Sequence, residues 1–149
     1  MERITKRDYY LSIAAEVAKR STCLRRQYGA VIVKNDEIIA TGYNGAPRGE
    51  ANCIDTGVCE RERLHVPKGQ NYELCVAVHA EQNAIVNADP AKMKGATIYI
   101  VGYNADGTLA SGKPCLLCRR MLRNAMLGKV IYLETDGRVV VCAPQDITD

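Results

Sequence analysis

Two short patterns, each placed where a helix begins and separated by one strand, constrain this chain more than anything else in it. Residues 77–83 read AVHAEQN and residues 114–118 read PCLLC, while ATIYIVG, residues 96–102, has the composition of a buried strand. In the second pattern Cys115 and Cys118 stand three residues apart at the start of a helix expected over 114–127. There i and i+3 share a face, and the helix dipole favours thiolate. Two thiolates on one face suit zinc, and a tetrahedral site then needs another protein ligand, for which His79 is the obvious choice. One histidine and two thiolates around Zn²⁺ are electrically neutral and leave a fourth position for an acidified water. His79 and Glu81 are two apart and in mid-helix would point to different sides. At a first turn both project past the helix end, so His79 can hold the metal while Glu81 reaches its water and shuttles protons. Either pattern alone has a plainer reading, as a redox pair, half of a structural zinc site, or a carboxylate complementing a helix dipole. The pairing in this order is far more specific.

The rest of the chain reads as one α/β domain over 1–149. TKRDYYLSIAAEVAKRS has Thr5 and Asp8 in capping-box-like spacing and places Tyr10, Ile13, Ala14, Val17 and Ala18 on one helical face. YGAVIVKNDEIIATGYN is β-branched on both sides of Asn35-Asp36, the signal of strand, tight turn, strand. HAEQNAIVNA predicts a second helix closed by Asp89-Pro90, and KVIYLE and RVVVCAP predict strands around Thr135-Asp136-Gly137. This order implies a mixed sheet with helices on its faces. Residues 45–73 are polar, hold two prolines and show no sustained period, long for a structureless connection, so something else must organise them.

At 149 residues and 47% apolar content the chain suffices for one core. The start, MERITKRDYYLS, has no apolar h-region and no later run approaches a membrane span, so neither secretion nor insertion is expected and the cytoplasm is. Thiols stay reduced there, so clustered cysteines point to metal before disulfide. A net charge of +3 with scattered basic residues argues against a dedicated nucleic-acid surface and leaves anionic small molecules as ligands.

Four segments carry a likeness to a known family: Ser21-Thr22-Cys23 with Tyr28-Gly29-Ala30-Val31, Ala40-Thr41-Gly42-Tyr43-Asn44-Gly45, Val78-His79-Ala80-Glu81-Gln82-Asn83-Ala84-Ile85, and Pro114-Cys115-Leu116-Leu117-Cys118. On these the chain resembles the zinc-dependent cytidine/deoxycytidylate deaminases, whose signature is H-x-E followed by P-C-x-x-C, and within them the dCMP-specific branch. The resemblance implies a three-layer α/β/α fold, a zinc-bound hydroxide attacking C4 of cytosine, and Glu81 protonating N3 and then the departing ammonia. It also implies a small nucleotide substrate, dCMP giving dUMP, and a homo-oligomer regulated by dCTP and dTTP. A deaminase of another nucleoside, nucleotide or tRNA base would share the zinc signature. A non-enzymatic zinc-stabilised module would have no use for Glu81 beside an open metal position. One departure is an insertion, GYNADGTLASGK, between the strand and Pro114, which is expected to cover the substrate because long loops at such mouths tend to be functional.

In the resembled family the asparagine matching Asn44 bonds the sugar, and the backbone N–H of Ala80 would meet the ring carbonyl. A monophosphate calls for a guanidinium fork, and Arg26 and Arg48 flank the hairpin that bears Asn44. Cys23, Cys53, Cys59 and Cys75 lie in or beside the unorganised stretch and could supply one structural zinc. Some phage relatives carry such a site on cysteines matching Cys23 and Cys53, with histidines that have no match here. The alternative is four ordinary buried cysteines.

Overall fold

The computed structural model describes residues 1–148. Helix α1, Lys6–Ala18, opens where the sequence places it: the Thr5 hydroxyl accepts the Asp8 amide at 3.1 Å. Strands β1 (Arg26–Lys34) and β2 (Glu37–Tyr43) form an antiparallel hairpin with Lys34 opposite Glu37. Its two central residues, Asn35 (φ 52°) and Asp36 (φ 62°), both adopt the left-handed conformation that a two-residue turn of this hand requires.

The stretch after β2 contains two single-turn helices, α2 (Cys53–Thr56) and α3 (Glu60–Arg63), and a 3-10 turn at Tyr72–Leu74. Helix α4 (Ala80–Asn87) is followed by the short α5 (Pro90–Met93), begun by Asp89 and proline at its first position. Then come β3 (Thr97–Asn104), β4 (Leu109–Ala110), α6 (Leu116–Asn124), β5 (Lys129–Leu133) and β6 (Val139–Cys142). The strand order is β2-β1-β3-β5-β6, with β4 on β3, and β3/β5 is parallel while its other neighbours run antiparallel. The sheet is therefore mixed, as the element order implies.

Strand alternation divides the core between the two sheet faces. Ile32, Ile98, Ile100 and Val130 pack with Ala80, Ala84, Met93 and Leu122 of α4, α5 and α6, whereas Val31, Val33, Val101 and Ile131 pack with Tyr10, Leu11 and Ala14 of α1. The central strands are buried on both faces, hence their unbroken apolar runs. This is the three-layer α/β/α arrangement. No helix among the described residues is long and apolar enough to cross a membrane.

The insertion after β3 is a hairpin. β3 runs on to Asn104, turns at Asp106-Gly107 and returns as β4, with Gly102 opposite Ala110 and Tyr103 opposite Leu109. The returning chain is fastened to the end of β5 by Gly112 N–H to Leu133 O (2.8 Å) and Ser111 Oγ to Glu134 Oε1 (2.9 Å).

Candidate active site

Helix α4 lies along β2, an edge strand of the sheet. Asn83 and Asn87, one turn apart, donate to Tyr43 O (2.8 Å) and Thr41 O (2.9 Å), so the helix also occupies backbone acceptors an edge would otherwise expose. Gly45 and Val78 exchange backbone hydrogen bonds of 3.1 and 2.7 Å, fixing the chain just before His79. His79 is the N-cap of α4, its N–H bonded to Gln82 Oε1 at 2.9 Å, and Glu81 falls in the first turn. The sequence places both residues at a helix start, and the fold does so.

On the same face of the sheet, α6 begins two residues later than expected. Cys115 is its N-cap and Cys118 lies in its first turn, fully buried. His79 Nδ1 is 3.5 Å from Cys115 Sγ and 3.3 Å from Cys118 Sγ. Among the described residues these three form the group whose ligand atoms all lie within 4.8 Å of one another. A tetrahedral zinc with bonds of about 2.0–2.3 Å separates neighbouring ligand atoms by roughly 3.3–3.8 Å, so the donor set and its spacing both fit.

The three groups are electrostatically coupled. Cys115 is lowered to about 4, chiefly because the Cys118 thiol donates to it and further because of His79, while Cys118 is correspondingly raised. His79 is raised by its bond to Cys115. Glu81 is buried with the triad, and burial pushes its carboxyl up.

His79, Glu81 and Cys115 line a cavity of about 510 Å³, with Cys118 buried behind them. Arg25, Arg26, Arg61, Lys68, Lys113 and Arg119 line it too, and Glu81 is its one carboxylate among the described residues. Ala80 and Asn44 are in its lining, and the returning arm of the inserted hairpin contributes Ala110 to Lys113. Asn44 is buried and braced on β1, accepting from Tyr28 N–H at 2.8 Å and donating to Arg26 O at 2.9 Å; each of its amide groups keeps one further hydrogen-bonding site. Arg26 reaches the cavity. Arg48 does not: its guanidinium bonds Asn87 Oδ1 at 2.7 Å on the outer side of α4.

Cys23, Cys59 and Cys75 also line the cavity, and their charges, after burial, raise the Cys53 thiol, so the four sulfurs occupy one neighbourhood. They are set more loosely than the His79 group. Ile54 N–H to Thr22 O (3.2 Å) and the Arg25–Glu62 ion pair (3.1 Å) tie α2 and α3 to the Cys23 segment. The residues that sequence reasoning passes over here are Arg61 and Tyr72. The Arg61 guanidinium carbon lies 4.7 Å from the Tyr72 ring centre, and Tyr72 meets the His79 ring edge-on at 6.3 Å. In CERER, Arg61 reads as part of a solvated charge run; its only signal is its position two residues after a cysteine.

A family model described as the cytidine and deoxycytidylate deaminase zinc-binding region matches residues 4–134. The chain is 38% identical over 131 residues to the deoxycytidylate deaminase of Mycobacterium phage D29, covering 84% of this chain and 91% of that one. It is 36% identical over 124 residues to the deoxycytidylate deaminase of Schizosaccharomyces pombe, with 83% of this chain matched but only 35% of the yeast protein's length. The dCMP deaminase of cyanophage S-TIM5, solved in complex with dCMP and dUMP, superposes with a TM-score of 0.62 at 29% identity, over 91% of this chain and 90% of that one.

Proposed function

Because the chain belongs to the cytidine and deoxycytidylate deaminase zinc-binding family, we propose that it hydrolyses the 4-amino group of dCMP to give dUMP and ammonia. The observation that carries this is the joining, at one cavity, of the His79, Cys115 and buried Cys118 donor set, the buried carboxyl of Glu81 and an excess of cations. His79 Nδ1 and the two sulfurs would hold the zinc, which when bound supplies Lewis acidity that brings the pKa of a water to about 7.

Glu81 does the proton work. Its burial raises the carboxylate's affinity for a proton, so it can take one proton of the attacking water to N3, where the product keeps it, and in a second transfer carry the remaining proton of that oxygen to the leaving amine. Ala80, at the first turn of α4, presents its N–H for the ring carbonyl, and the remaining hydrogen-bonding capacity of Asn44 serves the sugar. The cavity cations favour a phosphorylated substrate over a nucleoside. Relatives that match it include deoxycytidylate deaminases, named as such in phage D29 and in fission yeast.

Cys23, Cys53, Cys59 and Cys75 would hold a second, structural zinc that closes the segment between β2 and α4; their gathering around Cys53 supports this. Seven free cysteines and a metal site needing reduced thiols support a cytoplasmic setting. Exposed Val86, Leu116 and Leu117 support a homo-oligomer, and dCTP and dTTP as effectors rest on family likeness. Ammonia release measured against cytidine, CMP, deoxycytidine, dCMP and dCTP tests the reading, which requires dCMP to be the best substrate.

A further inference from the structure

The polar segment between β2 and α4 puts one charged side chain in an unusual position. Arg61 is 8% exposed, yet it lies within a chain segment otherwise on the surface. Its Nη2 donates to Pro67 O at 2.9 Å and Gln70 O at 2.8 Å, and its guanidinium lies over the Tyr72 ring. Its Nε, buried like the rest, has no protein partner. A buried N–H of a cation left without an acceptor is costly, so the position is one that an anion completes.

Two other arginines of the cavity are differently committed. Arg25 is held by Glu62 at 3.1 Å, and Arg119 donates its Nε to Pro114 O at 2.8 Å, under the turn that carries Cys115. Lys68 and Lys113 are point charges on flexible stems and do not impose the planar geometry of a fork. Arg61 is fixed by two carbonyls and stacked on a ring that in turn abuts the metal-ligand histidine. Contacts of 4.7 and 6.3 Å link its guanidinium through the Tyr72 ring to the His79 ring, and all three residues line the same cavity.

We propose that Arg61, carried on Tyr72, reads the 5′-phosphate of the substrate and so sets the preference for a nucleotide over a nucleoside. This rests on the deaminase reading above. It gives the segment between β2 and α4 a purpose beyond binding metal: the carbonyls of Pro67 and Gln70 hold the fork at the cavity lining and leave its Nε for a phosphate oxygen to satisfy. Preorganisation of this kind is what makes an arginine selective as well as attractive.

The test is kcat/KM for dCMP and for deoxycytidine in wild type, Arg61→Gln and Arg61→Lys, with zinc content measured on each preparation. Arg61→Gln should lower the dCMP:deoxycytidine ratio by roughly 10- to 100-fold, as expected for loss of a charge-assisted contact, at unchanged zinc content. Arg61→Lys should retain part of the preference, because it keeps the charge and loses the fork. Should Arg61→Gln not fold, the lysine variant decides alone. A ratio that stays at the wild-type value, or a fall that is equal for both substrates, overturns the proposal and leaves Arg61 as a brace for the loop. If wild type releases ammonia from neither substrate, the deaminase reading fails; if it does so and the Arg61 variants keep their preference, only this inference fails.

Discussion

Gly42 and Ala84 meet backbone to backbone: a Cβ on Gly42 would stand 2.3 Å from Ala84 N and 2.4 Å from Ala80 O. The missing side chain is what lets α4 lie directly on β2, and so sets the height at which His79 and Glu81 enter the cavity. Gly42→Ala should push the first turn of α4 away from the sheet, because neither backbone can yield without moving the other. Zinc content and turnover should fall together while the protein remains folded, by metal analysis, kinetics and thermal melting in parallel. Full activity would mean that α4 can slide without cost.

Glu81→Gln keeps shape and burial but cannot carry a proton. It should keep its zinc and its melting temperature while kcat falls by roughly 10²- to 10⁴-fold, the range for a general acid–base group. Activity above about a tenth of wild type would remove Glu81 from the role.

What was legible in the sequence is what is local. The Thr5 cap, the Asn35-Asp36 turn and the two motif helices each depend on residues a few positions apart, and the structure reproduces them. The segment between β2 and α4 depends instead on contacts that no period announces: Arg61 to the carbonyls of Pro67 and Gln70, Arg25 to Glu62, and four cysteines from separate turns. Arg48 illustrates the converse. It adjoins the Asn44 hairpin in sequence, but α4 runs along β2 and offers it Asn87, which takes it out of the cavity lining. The inserted residues had turn signals at Asp106-Gly107; what pairing partner they would find was set by β3 continuing past the sheet.

His79→Ala removes the ligand contributed by α4 and leaves two thiols that α6 alone cannot turn into a closed site. The catalytic zinc should be lost, with turnover, and chelation of the wild type should lower its melting temperature because metal binding is coupled to folding. Retained zinc in the variant, once any second site is accounted for, would mean that another residue is the third ligand.

A pH-dependent contribution to stability lies on the opposite face. The Tyr10 hydroxyl and Lys6 Nζ, both on α1, donate to the carboxylate of Asp36 in the β1–β2 turn, the lysine at 2.9 Å. The Tyr10 bond first, and Lys6 second, hold Asp36 below the usual carboxylate range, and the same bond pushes Tyr10 up to about 12. A depressed carboxyl stabilises the fold above its unfolded-state pKa, and that contribution is lost as pH falls through the folded value; the raised tyrosine contributes below pH 10 and loses it toward pH 12. Asp36→Asn, which tolerates the same positive φ, should therefore melt below wild type at neutral pH and converge with it in acid. Parallel melting curves down to low pH would show that Asp36 contributes nothing through its charge.

The second metal site can be counted. If Cys23, Cys53, Cys59 and Cys75 close around a structural zinc, purified protein carries two zinc ions per chain by that ligand count, and a single ion refutes the site. The other three cysteines act electrostatically on Cys53, and Cys53→Ser removes one thiolate from the set. The variant should lose one equivalent of zinc and melt at lower temperature, since a closed site contributes its binding free energy to the fold. The His79, Cys115 and Cys118 site should stay loaded, because none of its ligands is in that set. The dCMP:deoxycytidine preference should fall more than turnover of deoxycytidine does, because Arg61 sits in the segment this zinc would close. A Cys53→Ser protein with unchanged zinc and melting temperature would make the four thiols ordinary packed cysteines.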